Sequence, residues 1–183
     1  MTAGRLALEV VTRSPSETRG VGAAIAAVIA PGDVVLLSGE LGAGKTVLTK
    51  GLVAALGGGE ATTSPTFTLC HVYPSVPPVA HVDCYRVGPA DDVADLALDE
   101  LVEDGAVVVV EWGERLPGSL GADALECRIS SPGALPLPAD ERRITLTSPA
   151  AAWSARAAAL AAALARAGPG AVRPGEPGGG TAP

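Results

Sequence analysis

The stretch Val34-Val35-Leu36-Leu37-Ser38-Gly39-Glu40-Leu41-Gly42-Ala43-Gly44-Lys45-Thr46 decides the reading of this chain. Its opening apolar run predicts a buried strand. The octet GELGAGKT then fits the phosphate-binding pattern G-x-x-x-x-G-K-[ST] at every required position. Glycines at 39, 42 and 44 permit positive φ and let backbone N–H groups curl around a phosphate with no Cβ in the way. Leu48, Leu52 and Leu56 recur at i, i+4 and predict a helix that ends at Gly57-Gly58. The positive N-terminal end of that helix faces the same anion. In this pattern Lys45 reaches the β- and γ-phosphates and the Thr46 hydroxyl ligates Mg²⁺.

Upstream, Leu6 to Val11 reads as a short strand. Ser14-Pro15-Ser16-Glu17 has the form of a helix start, with Ser14 as N-cap, Pro15 at N1 and Glu17 closing a capping box. Val21, Ala24, Ile25 and Val28 form its buried stripe, and Pro31-Gly32 ends it. The phosphate loop therefore does not sit on the first strand of the chain.

Downstream, Thr62 to Thr68 is rich in hydroxyls. It sits where switch segments sense a γ-phosphate, and it also has the composition of an ordinary turn-rich loop. Leu69 to Tyr73 and Val79 to Cys84 read as two strands joined by a turn from Pro74 to Pro78. Asp83 falls near the end of the second. An acidic segment follows, from Asp91, Asp92 and Asp95 to Asp99, Glu100, Glu103 and Asp104. It reads as the solvated face of a short helix or as a docking face for a basic partner.

Ala106 to Val110 is a β-branched run with the character of a strand buried on both faces, and it ends in Glu111-Trp112. Ligands of open α/β sheets bind at the carboxyl ends of strands, so Asp83 and Glu111 are candidate site acids. Leu125 to Ile129 and Arg142 to Thr147 read as two more strands, antiparallel to each other. Residues 1–149 are expected to form the nucleotide-binding domain, 150–167 an alanine-rich helix with Trp153, Leu160 and Leu164 on one stripe, and 168–183 a disordered Gly/Pro-rich tail. The fold class is α/β, a P-loop NTPase domain whose mixed, mostly parallel central sheet is flanked by helices.

The 183 residues suffice for one domain with a sizeable core, and at 3% aromatic residues that core is aliphatic. A net charge of −7 argues against strong unaided binding to a nucleic acid backbone. Cys70, Cys84 and Cys127 have no metal-ligand spacing and read as reduced, small hydrophobes. With no signal pattern and no membrane-length apolar run, a cytoplasmic protein is expected.

The chain contains no asparagine and no glutamine. A guanine-reading N-K-x-D motif is impossible, which favours ATP over GTP, and no glutamine can orient an attacking water. That role falls to a carboxylate, Glu111 first. Apart from Arg86 or a partner's arginine, nothing supplies an arginine finger, so a slow ATPase stimulated by a partner is expected. A small-molecule P-loop kinase is the alternative, disfavoured by the sparse arginine between Lys45 and Arg142.

Four segments in order, Gly39–Thr46, Ser64-Pro65-Thr66-Phe67, His81-Val82-Asp83-Cys84-Tyr85-Arg86 and Val110-Glu111-Trp112, resemble the TsaE family, also known as YjeE. The resemblance covers roughly residues 5 to 147. It implies a Mg²⁺-dependent ATPase that acts with a TsaB–TsaD pair in transfer of a threonylcarbamoyl group to adenosine 37 of ANN-decoding tRNAs. Contact with tRNA would be only indirect, and no membrane is involved. By matching positions it implies ATP/ADP contacts from Glu40, Leu41, Gly42, Ala43, Gly44, Lys45, Thr46, Val47 and Trp112. Thr12 and Arg143 would lie on the adenine side. Thr46, Glu111 and Asp83 would hold the metal, and Lys45, Glu111, Asp83 and Thr66 would serve catalysis, Thr66 within a switch-like segment.

Overall fold

The computed structural model describes residues 5–59, 69–86, 97–115, 122–131, 141–168, 170 and 172–174. The expected switch segment with Thr66, and Asp91, Asp92 and Asp95 of the acidic run, lie outside them.

Among the described residues eight strands form one sheet: β1 (Leu6–Thr12), β2 (Val34–Ser38), β3 (Cys70–Tyr73), β4 (Val79–Asp83), β5 (Val107–Glu111), β6 (Leu125–Ser130), β7 (Arg142–Ser148) and β8 (Arg173–Pro174). Among the described residues four α-helices accompany them: α1 (Pro15–Ala26), α2 (Lys45–Ala55), α3 (Leu98–Glu103) and α4 (Ala151–Arg166). The strand order is β3-β4-β5-β2-β6-β7-β1-β8.

The sheet is mixed, but it is not mostly parallel. Three pairings are parallel, β4–β5, β5–β2 and β2–β6. The other four, β3–β4, β6–β7, β7–β1 and β1–β8, are antiparallel. Parallel neighbours need a long crossover, whereas β3 and β4 are joined by the tight turn at Pro74–Pro78 and can only run antiparallel. The parallel centre is the part that matters for a ligand, because it carries the strand ends around the glycine loop.

Strand β5 is buried along its whole length. Val107 and Val109 join one apolar cluster with β1, β2, β6, β7, α1, α2 and α4, while Val108 and Val110 join a second with Ala80, Val82, Cys84 and Leu98. This period-two division is why the run from Ala106 shows no polar alternation.

Helix α1 starts as its sequence requires: the Glu17 N–H donates to Ser14 Oγ at 3.1 Å. The Glu17 carboxylate accepts instead from the Arg13 N–H, at 2.7 Å, one residue earlier than an ideal capping box. The helix stops at Ala26, before Pro31-Gly32. It crosses α2 at backbone distance. A Cβ on Gly22 would lie 2.1 Å from the Leu48 carbonyl oxygen, and one on Gly51 would lie 2.0 Å from that of Arg19.

Helix α4 belongs to the same core. Trp153, Leu160 and Leu164 are buried in the main cluster. The Arg156 guanidinium lies 4.0 Å over the Trp153 ring and forms a forked ion pair with Asp33 at the entrance to β2. In the segment from 168 onward, the Gly170 N–H donates to the Val11 carbonyl, and Arg173–Pro174 pairs with Leu8 and Glu9. Pro174 is tolerated there because an edge strand has a free side.

Candidate functional site

The octet forms the loop from the end of β2 into α2. Gly39, Gly42 and Gly44 have φ of +138°, +78° and +114°, values that L side chains rarely adopt. At Gly39 the constraint is also steric, since a Cβ there would lie 2.1 Å from the Ile129 carbonyl oxygen. Glu40, Leu41 and Gly42 form the exposed tip, and Ala43 turns inward and is buried.

Lys45 opens α2 and is itself buried. Its Nζ donates to the carbonyls of Gly39 (2.7 Å) and Glu40 (2.9 Å) and lies 3.7 Å from the centroid of the Trp112 ring. Burial pushes its pKa below the ordinary lysine value; the nearby charges of Glu111, Glu114 and Asp83 oppose that shift. Trp112 reaches this position because it takes φ of +62°, and its ring also stands 5.1 Å from that of Tyr85. The turn packs closely on β2: a Cβ on Gly113 would meet Leu36 Cβ at 2.8 Å.

The acids come from adjacent parallel strands. Asp83 ends β4, Glu111 ends β5, and the two are register partners. Glu111 is only 3% exposed. Its Oε2 accepts from the Thr46 hydroxyl at 3.0 Å and its Oε1 from His81 Nε2 at 2.9 Å. Asp83 Oδ1 accepts the Tyr85 N–H at 3.0 Å, which anchors the turn after β4. Lys45, Thr46, Glu111, Asp83 and Trp112 thus converge at one end of the parallel centre.

Thr12 and Arg143, the residues expected on the adenine side, lie at and near a cleft beside the loop. This cleft, of about 130 Å³, is lined by Ser14, Pro15, Thr18, Gly42, Ala43, Gly44, Val47 and Arg142. Thr12 is fully buried and shares a 2.9 Å hydrogen bond with the Thr18 hydroxyl, so it supports the cleft wall from behind. Arg143 does not line the cleft; it pairs with Glu9 at 3.7 Å. Neighbours on a strand point to opposite faces, so Arg142 and not Arg143 lines this cleft. Sequence reading also missed a role for His81. The usable signal was its spacing two residues before Asp83, which puts both on one face of β4.

The donor set suits a divalent cation only in part. Thr46, Glu111 and Asp83 offer hard oxygens, but among the described residues no group of three or more His, Cys, Asp and Glu could hold a metal alone. A site of this kind is completed by phosphate oxygens and water, as Mg²⁺ sites commonly are.

A family model described as "Threonylcarbamoyl adenosine biosynthesis protein TsaE" matches residues 12–136. The chain belongs to the TsaE family. A TsaE of Streptomyces coelicolor is 46% identical over 141 residues, 74% of this chain and 93% of that protein. A Bacillus subtilis TsaE is 40% identical over 138 residues, 75% of this chain and 83% of its own length. Both are named tRNA threonylcarbamoyladenosine biosynthesis proteins. The crystal structure of Bacillus subtilis YdiB superposes with a TM-score of 0.64 at 34% identity, covering 89% of this chain and 97% of that one. TsaE membership fits the ordered motifs, and the family match begins at Thr12 and so takes in the α1 start, the glycine loop and both strand-end acids.

Proposed function

We propose that this member of the TsaE family binds and hydrolyses ATP with Mg²⁺ as the ATPase subunit of tRNA threonylcarbamoyladenosine formation, working with TsaD-like and TsaB-like proteins. The observation that carries the reading is the Thr46–Glu111 hydrogen bond, which ties the phosphate loop's hydroxyl to the buried carboxylate of the neighbouring strand. The role in the pathway is supported by the names of relatives that this chain matches over most of its length.

Each residue has a distinct task. Lys45 exchanges the carbonyls of Gly39 and Glu40 for the β- and γ-phosphates of ATP. Glycine-loop N–H groups and the start of α2 face the same phosphates. Thr46 and Glu111 hold Mg²⁺, with Asp83 a ligand directly or through water. Bound there, the ion neutralises charge on the phosphoryl oxygens. The cleft beside Val47 and Arg142 takes the nucleoside end. Trp112 packs on Lys45 and keeps water from it. Arginine-finger chemistry is assigned to Arg86 or to a partner, and Thr66 to the γ-phosphate switch; the Arg86 side chain and Thr66 lie outside the described residues.

Contact with tRNA runs through the partners, consistent with the net charge of −7. No helix among the described residues is long and apolar enough to cross a membrane, and we assign the protein to the cytoplasm, with the tRNA. The test is phosphate release from Mg·ATP with no acceptor present, then reconstitution of tRNA modification with and without this chain. Release that strictly requires an added metabolite would make the protein a kinase.

A further inference from the structure

We propose that His81 is a positioning residue for Glu111. Its Nε2–H holds one carboxylate oxygen so that the other stays aimed at the Thr46 hydroxyl. The inference rests on the metal–nucleotide reading above and assigns a role to a side chain that touches neither ligand.

His81 is fully buried on β4. In register it lies opposite Val109, one pleat short of Glu111, so its ring extends along the strands to reach Oε1 at 2.9 Å. A carboxylate can only accept, so the nitrogen facing it donates. The other nitrogen, Nδ1, is buried and has no hydrogen-bond partner among the described residues. Of the two neutral tautomers, the one that fits both observations is Nε2–H.

The surroundings make the polarity of His81 informative. Val79 precedes it on the same face of β4, and Val107 and Val109 stand on β5, all fully buried. An aliphatic side chain at position 81 would suit that setting better than an imidazole with an orphaned nitrogen. What an aliphatic residue cannot supply is a donor to Glu111 Oε1. Glu111 is too buried for bulk water to take over. Without His81 the carboxylate is held through Oε2 alone and is free to turn about its last torsion, away from the position that serves Thr46. Outer partners of this kind act by fixing the orientation of a ligating group.

The test uses the full chain and the variants His81→Gln, whose amide nitrogen keeps a donor near the Nε2 position, and His81→Leu, which keeps bulk without a donor. Nitrogen-15 NMR of the nucleotide-free protein reports the tautomer directly, and the chain has only two histidines to distinguish. The expected result is the Nε2–H form at His81. Calorimetry of ADP binding with and without Mg²⁺ then separates nucleotide from metal. For His81→Leu, the Mg²⁺ concentration giving half-maximal enhancement of binding rises about tenfold or more, while ADP affinity in the absence of Mg²⁺ stays within about twofold. His81→Gln recovers most of the metal response.

An Nδ1–H tautomer overturns the proposal. So does an unaltered Mg²⁺ response in His81→Leu, or a His81→Gln defect as deep as that of His81→Leu. If the wild-type chain binds no Mg·ADP, the functional reading fails instead, and the tautomer still decides whether His81 holds Glu111. Should His81→Leu not fold, the tautomer and His81→Gln carry the decision.

Discussion

The Thr46 hydroxyl donates to Oε2 of Glu111 at 3.0 Å, joining residues 65 positions apart in the chain. One comes from the first turn of α2 and the other from the last position of β5. A hydroxyl that gives its proton to a carboxylate presents its lone pairs elsewhere, which is the arrangement a hard cation at Thr46 requires.

Glu111→Ala removes that acceptor and, on the proposed function, a metal ligand with it. ATP hydrolysis is expected to fall by about a hundredfold or more, with nucleotide binding still detectable because the glycine loop carries most of it. Phosphate release and calorimetry on the same preparation check this. Normal turnover would remove Glu111 from the mechanism.

Lys45→Met is expected to abolish hydrolysis and yet raise the melting temperature of the free protein. Burial of the ammonium lowers its pKa, so the charged form is penalised in the folded state. Because the folded-state value lies below the unfolded one, the penalty is full below the lowered value and vanishes above the ordinary lysine value of 10.5. Wild-type stability therefore gains on the variant as pH rises through that window. Thermal melts of both proteins from neutral to alkaline pH measure the gap, and a gap that widened with pH would contradict the argument.

Gly22→Ala and Gly51→Ala test the helix crossing beneath the loop. Alanine would normally favour a helix by about 1 kcal/mol over glycine. Here the new Cβ meets a backbone carbonyl oxygen at 2.1 Å or 2.0 Å, and backbone cannot step aside as a side-chain end can. Overpacking of about 1–3 kcal/mol is expected to outweigh the propensity gain, so both variants lose stability in denaturant titrations. A stabilised variant would show that α1 and α2 do not cross at backbone distance.

Arg142→Ala is expected to weaken ADP binding several-fold, whereas Arg143→Ala leaves it near wild type. Arg142 lines the cleft beside Gly44 and Val47, and Arg143 is engaged with Glu9. Calorimetric titration of the two variants side by side gives the comparison. The reverse order would return the nucleoside contact to Arg143.

What could be read directly from the sequence has a common character. The GELGAGKT loop depends on glycine φ and on its place between a strand and a helix. The Ser14 N-cap and the all-apolar β5 depend on neighbours a few residues away. The closing of β5 in Glu111 and the place of Asp83 near the end of β4 were likewise visible, because an acid closing a buried run stands out. The Trp153, Leu160 and Leu164 stripe of α4 was legible for the same reason, though not its ion pair from Arg156 to Asp33.

The sequence by itself determined the phosphate-loop pattern, most of the elements around it and the acids that close β4 and β5, because each is written in a local spacing. Only the tertiary structure decided that four of the seven strand pairings run antiparallel, that Arg142 rather than Arg143 faces the cleft, and that His81 reaches across to Glu111. These depend on register between distant segments. A shift of one residue there turns a side chain to the opposite face, and no local pattern records it.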